Sequence, residues 1–94
     1  MITISKSTRP NKKYMATDGS KTVHFGDSNY SDFTKHRDEE RKKRYIQRHS
    51  QEDHTISNAL SPAFLARNIL WNKPTVEASI RDLNRRYKTE FRLK

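Results

Sequence analysis

The pair Asp18-Gly19, set between KKYMAT and SKTVHFG, restricts the fold of this chain more than any other feature. A two-residue type I′ turn needs positive φ at both central positions, and Asp-Gly is one of the few pairs that tolerates it. The sequence therefore predicts a β-hairpin over about 12–26. In that register Tyr14 faces Val23, Lys12 faces Phe25 and Ala16 faces Lys21. Because successive strand residues alternate sides, Tyr14, Val23 and Phe25 share one face, and Met15, Thr22 and His24 share the other. A single hairpin is marginal in water, so the Tyr14/Val23/Phe25 face must pack on a helix or on a partner. Gly26 ends it.

Little apolar material is available for that packing. Only 31% of the 94 residues are hydrophobic and 33% are charged, so a chain this short can bury one small core at most. Residues 1–11 are polar and β-branched and end in Arg9-Pro10-Asn11, which reads as an extended polar arm. Residues 12–94 read as one small domain. Ser31 is the expected N-cap of a long charged helix over about 32–50, with Asp32 favourable in its first turn. Asp38/Lys42, Glu39/Lys43 and Glu40/Arg44 are acid-before-base pairs at i,i+4 that support it. Phe33 anchors one end, and Tyr45 and Ile46 anchor the other. Residues 51–60 form a polar connection. Ser61-Pro62 opens a second helix over about 62–71, with Ser as N-cap and Pro at the first position. It carries Phe64, Leu65, Ile69, Leu70 and Trp71, and Asn72-Lys73-Pro74 stops it. Thr75 caps a third helix over about 76–88, whose Val76, Ile80, Leu83 and Tyr87 form one stripe. The expected class is small α+β, with extended polar termini.

The charge balance directs attention to anionic partners. Twenty Lys and Arg against eleven Asp and Glu give +9, and the pI is about 10.1. Such a surface adds polyanion affinity that falls with salt. The densest segment is Arg41, Lys42, Lys43 and Arg44, followed by Tyr45 and Arg48. A second set is Arg81, Arg85, Arg86 and Lys88, together with Arg92. Both sets could contact phosphates or the acidic surface of a protein partner. The acidic trio Asp38, Glu39 and Glu40 one turn upstream weakens any reading as a sequence-reading DNA helix. Tyr14, Val23, Phe25, Phe64, Leu70 and Trp71 are the candidates for packing or a protein interface, since Trp and Tyr are favoured at interface hot spots as well as in cores.

Other chemistry finds no support. The chain has no cysteine, which excludes disulfides, thiolate zinc sites and thiol catalysis. Among the four histidines the metal-like spacing occurs once, at His49 and His54, with no second pair beside it. Gly19 and Gly26 are the only glycines, so a glycine-rich phosphate loop is missing. No nucleophile elbow is present. The expectation is a non-enzymatic protein with no metal, cofactor or small-molecule substrate. No run approaches the length of a membrane span, and MITISKSTRP lacks the apolar stretch of a signal peptide.

An ordered series of motifs adds a resemblance. Lys13-Tyr14, Val23-His24-Phe25-Gly26, the run YSDFTKHRD over 30–38, Arg44-Tyr45-Ile46, Arg48-His49, Ser61-Pro62, Phe64 and LWNKPT over 70–75 resemble a family of short basic proteins encoded by large double-stranded DNA viruses of algae and protists. The likeness runs over roughly 12–80. Ala63 departs from it, standing where the family would have glycine, and this favours a longer helix there. The resemblance implies a viral source and no activity. The leading expectation is therefore a minor capsid or internal virion protein that contacts larger coat subunits through extended arms and a basic surface. It would lie in the particle interior, and in the host cell before assembly. The alternative is a small basic nucleic-acid-binding protein for genome packaging or regulation. An extended ordered chain favours the first, and a compact monomer with a phosphate-facing stripe favours the second.

Overall fold

A computed structural model describes residues 1–50 and 59–94. The architecture is small α+β, with one four-stranded mixed sheet and helices packed on it. In chain order the elements are β1 (Ile2–Lys6), β2 (Lys12–Thr17), β3 (Thr22–Asp27), α1 (Phe33–His36), α2 (Glu39–Arg48), α3 (Pro62–Leu65), α4 (Val76–Tyr87) and β4 (Phe91–Leu93). A π-helical turn, Ala66–Leu70, continues α3. The sheet order is β3-β2-β1-β4, with β1 parallel to β4 and antiparallel to β2.

Both termini correct the expectation of polar arms. The alternation Ile2-Thr3-Ile4-Ser5 is a strand pattern, and β1 occupies an interior position of the sheet. Ile4 pairs with Ala16 on one side and Leu93 on the other, and is fully buried. Two flanking strands and a buried isoleucine offset an ordering cost that the segment alone could not meet. At the far end Asn84 Nδ2 donates to the Phe91 carbonyl at 2.9 Å, while the Phe91 amide donates to Asn84 Oδ1 at 2.8 Å. This side chain fastens β4 to α4.

The hairpin has the expected faces in a shifted register. Tyr14 pairs with Phe25 and Ala16 with Val23, so the loop is Asp18–Lys21 and not a two-residue turn. Asp18 Oδ1 accepts from the amides of Ser20 and Lys21 at 2.9 and 2.8 Å. Gly19 alone in the loop takes positive φ, at 101°. The carboxylate thus closes a turn in which Asp18 need not enter the left-handed region. A register change of two residues preserves the side to which every side chain points, whereas a change of one would reverse it.

The expected single helix over 32–50 is two helices. Asp32, not Ser31, is the N-cap of α1, with Oδ1 accepting from the Thr34 amide at 2.9 Å. Arg37 then adopts φ 53°, and Asp38 is extended and caps α2 by accepting from the amides of Glu40 and Arg41. An aspartate that takes these amide groups ends one helix and starts another. None of the three expected i,i+4 ion pairs closes among the described residues. Ser61 and Thr75 cap their helices as the sequence suggests, through the amides of Phe64 and Ala78. The second helix does not stay α-helical to position 71. The Trp71 amide donates to the Ala66 carbonyl five residues back, and the Phe64 carbonyl accepts from the Asn68 side chain at 3.0 Å. The connection expected over 51–60 lies, for 51–58, outside the described residues.

The core joins the inner sheet face to the C-terminal helices. Ile4, Ala16, Phe25 and Phe91 meet Phe64, Leu65, Ile69, Leu70, Val76, Ile80 and Leu83. Tyr14, Val23, Trp71 and Tyr87 pack on its edge. The radius of gyration is 12.3 Å, the value of a compact chain of this length. Among the described residues no helix is long and apolar enough to cross a membrane.

Candidate nucleic-acid interface

The break at Arg37-Asp38 sets the direction of α2 and so decides which charges converge. Arg41, Arg44 and Arg48 fall at i, i+3 and i+7, on one helix face. They line a cavity of about 940 Å³ together with Tyr45, Trp71 and Leu70. The end of β3 adds Gly26 and Asp27, the β3–α1 loop adds Tyr30, Ser31 and Asp32, and Lys13 also borders it. Gly26 has φ 79°, and a Cβ there would stand 2.7 Å from Leu70 Cδ1. Only a glycine lets the backbone approach the π-helical turn this closely.

The cations of the chain divide into occupied and unoccupied groups. Lys13 Nζ lies 2.5 Å from Asp32 Oδ2, and Asp32 is 2% exposed. Asp32 Oδ1 is also filled, by the amide and hydroxyl of Thr34. Lys42 turns away from the cavity, donates to the Asn72 carbonyl at 2.6 Å and sits over the Phe33 ring. Arg85 and Arg86 both bind Asp82, which also accepts from Asn72 at 2.9 Å. The Asn72 amide, then the Arg86 and Arg85 guanidiniums, hold the Asp82 carboxyl down to about 2. Arg86 further donates to Asn68 Oδ1 at 2.8 Å. Arg41, Arg44 and Arg48 are exposed, and their guanidiniums have no hydrogen bond or ion pair among the described residues. Each guanidinium carries five N–H donors in a planar fork that suits phosphate.

An aromatic column borders the same cavity as this row. Tyr45 and Trp71 stack with centroids 4.3 Å apart and planes within 3°. His49 stacks on the other face of the column at 4.3 Å from Tyr45, and His36 meets Trp71 at 5.3 Å. His36 Nδ1 accepts from the Asp38 amide at 2.9 Å, which puts the ring proton on Nε2, a buried atom without a partner among the described residues. Burial, reinforced by Arg41, lowers the His36 pKa. Tyr30, in contrast, is 71% exposed. Its loop is pinned by Ser28 N to the Asn11 carbonyl at 3.1 Å, Asn29 N to Asp27 Oδ1 at 2.8 Å and Tyr30 N to the Asp27 carbonyl at 3.2 Å.

The sequence-derived candidates are thus distributed over several places. Arg41, Arg44 and Arg48 are brought together. Lys43 is exposed and borders neither this cavity nor the smaller hollow of about 290 Å³ beside Lys42 and Arg86. Arg81 on α4 and Lys88 at its C-cap are exposed and also line neither. Phe25, Phe64 and Leu70 are core, Tyr14 and Val23 are its rim, and Trp71 lies between core and cavity. His54 lies outside the described residues. The other histidines do not converge, since His24 is bonded to Ser7 while His36 and His49 lie in the column. The sequence alone does not single out Tyr30, Lys13 and Asp32 as site residues. The exposed Tyr30 within YSD could have been noticed, whereas the Lys13–Asp32 pairing spans nineteen positions and has no local signal.

A model for a family of unknown function, DUF5754, matches residues 2–49. That is just over half of the chain, and the chain belongs to this family. The matched segment contains β1 to β3, Tyr30 and the whole arginine row. No curated protein and no solved structure matches the chain.

Proposed function

We propose that this member of the DUF5754 family is a small non-enzymatic nucleic-acid-binding protein that holds a phosphate backbone along the Arg41/Arg44/Arg48 face of α2. The observation that carries this reading is the absence of any partner for those three guanidiniums among the described residues, while Lys13, Lys42, Arg85 and Arg86 are engaged by the protein itself. Spacings of about 5–6 Å between side chains three and four apart on a helix suit successive phosphates.

The minor-capsid reading rests on extended arms, whereas both chain ends are strands of the sheet. Its remaining support is the basic surface, which serves nucleic acid equally well. Given the resemblance to viral proteins, the natural place for such a molecule is with the genome, inside the particle or in the infected cell before assembly. Contact with coat proteins would then be secondary.

Oligonucleotide affinity measured against salt tests the proposal. Neutralising each phosphate contact contributes a slope of about −0.9 in log K against log[salt]. Arg41→Gln, Arg44→Gln and Arg48→Gln are each expected to reduce the slope by about 1. Arg85→Gln, whose parent side chain is committed to Asp82, is expected to leave it unchanged. Equal effects from all four would refute the assignment to α2.

A further inference from the structure

On the reading that the groove binds nucleic acid, we infer that its ligand is an unpaired strand, with one base stacked on the exposed ring of Tyr30. Three observations combine. The first is shape. The arginines border a hollow of about 940 Å³, within the range of about 300–1,000 Å³ in which proteins enclose a small molecule. Duplex readers instead present a convex helix or ribbon to a groove. A recess of this size fits a nucleotide or two of a single strand better than it fits a double helix.

The second is the composition of the lining. Ala63, Ala66, Leu70 and Trp71 are apolar, and they line the same recess as the three arginines. Phosphates need the guanidiniums, whereas the flat faces of unpaired bases need apolar surface. In a duplex those faces are already stacked on one another. Asp27 and Asp32 also border the recess. Asp32 is neutralised by Lys13, and Asp27 accepts from the Asn29 amide.

The third is Tyr30. The residue is 71% exposed and adds little to the core, yet its loop is held by three hydrogen bonds donated by backbone amides, two to carbonyls and one to the Asp27 carboxylate. It borders the same recess as the arginine row. Tyr45 and Trp71 stack on each other and His49 stacks on Tyr45, and Tyr30 is the most exposed of the aromatic rings that line the recess. Stacking on such a ring is sequence-tolerant, because every base has a π-face.

The test compares the full chain on a short labelled polythymidine strand and on a duplex of the same length, by fluorescence anisotropy at one fixed salt concentration. The single strand is expected to bind at least tenfold more tightly. Tyr30→Ala should weaken single-strand binding by about 5- to 150-fold, the range of one stacked base. Tyr30→Phe, which keeps the ring, should restore it. Circular dichroism of both variants should match the parent, as the side chain is exposed. Equal affinity for strand and duplex, or no effect of Tyr30→Ala, overturns the inference. If binding is still lost in the α2 arginine variants, the nucleic-acid reading itself stands. Binding of neither form at low salt sinks both. Competition by free thymidine monophosphate at equal affinity would identify a nucleotide pocket and overturn the strand.

Discussion

Gly26→Ala perturbs the protein in two separable ways. The backbone there has φ 79°, a conformation that costs an L-residue about 1–2 kcal/mol. The new methyl would stand 2.7 Å from Leu70 Cδ1 and 3.3 Å from Lys13 Cβ. Leu70 is 2% exposed and packed in the core, so it cannot swing away without displacing its neighbours. Overpacking of this kind costs about 1–3 kcal/mol. The loss of glycine freedom in the unfolded chain returns about 0.4–1 kcal/mol. The net expected destabilisation is about 2–3 kcal/mol, from contributions that range over roughly 1–5. In a domain of this size that lowers Tm by on the order of 8–24 °C.

Gly19→Ala is the internal control. It also sits at positive φ, at 101°, and a Cβ there meets nothing within 4 Å. Only the backbone contribution applies, so its cost should stay near about 1 kcal/mol. Urea denaturation of both variants, read at constant m-value, measures the difference. Combining Gly26→Ala with Leu70→Ala should remove the packing part and produce clear non-additivity. If Gly26→Ala is no more harmful than Gly19→Ala, or if the two substitutions are additive, the close approach of β3 to the π-helical turn does not constrain this position.

Three further outcomes follow from the same geometry. Asp82 is held at about 2 by Asn72, Arg86 and Arg85, below its usual value, so its stabilisation is present above about pH 4 and is lost as pH falls toward 2. Asp82→Ala should cost about 1–3 kcal/mol at neutral pH and flatten the acid limb of a denaturation-against-pH series; Arg85, 74% exposed, regains water cheaply and keeps the cost from rising further. Lys88 has φ 55° at the end of α4, and Lys88→Gly should raise stability by up to about 1 kcal/mol without changing oligonucleotide affinity. Trp71→Ala removes the ring that stacks on Tyr45 and should cost about 2–4 kcal/mol, below the range for a fully buried tryptophan because Trp71 is half-buried; thermal unfolding followed by far-UV circular dichroism checks it.

Several features were legible in the sequence because they are local. The apolar stripe of α4, the Ser61 and Thr75 caps, Pro62 at a helix start and the paired faces of the hairpin depend on residues a few positions apart. Their side-chain directions follow from helical and strand geometry alone. The basic run containing Arg41, Arg44 and Arg48 was visible for the same reason. Other features depended on distant partners. Ile2-Thr3-Ile4-Ser5 is a strand only because Phe91–Leu93 lies on one side of it and β2 on the other. The helix break at Arg37-Asp38 was hidden by charge pairs that favour a continuous helix, each by only a few tenths of a kcal/mol, which a single capping carboxylate outweighs. The tertiary structure alone decided which cations remain available. Asp82, Asp32 and the Asn72 carbonyl claim Arg85, Arg86, Lys13 and Lys42, because an oxygen wholly or partly withdrawn from water binds whichever cation the packing brings within reach. Sequence set the number of positive charges, and packing chose the three left facing the groove.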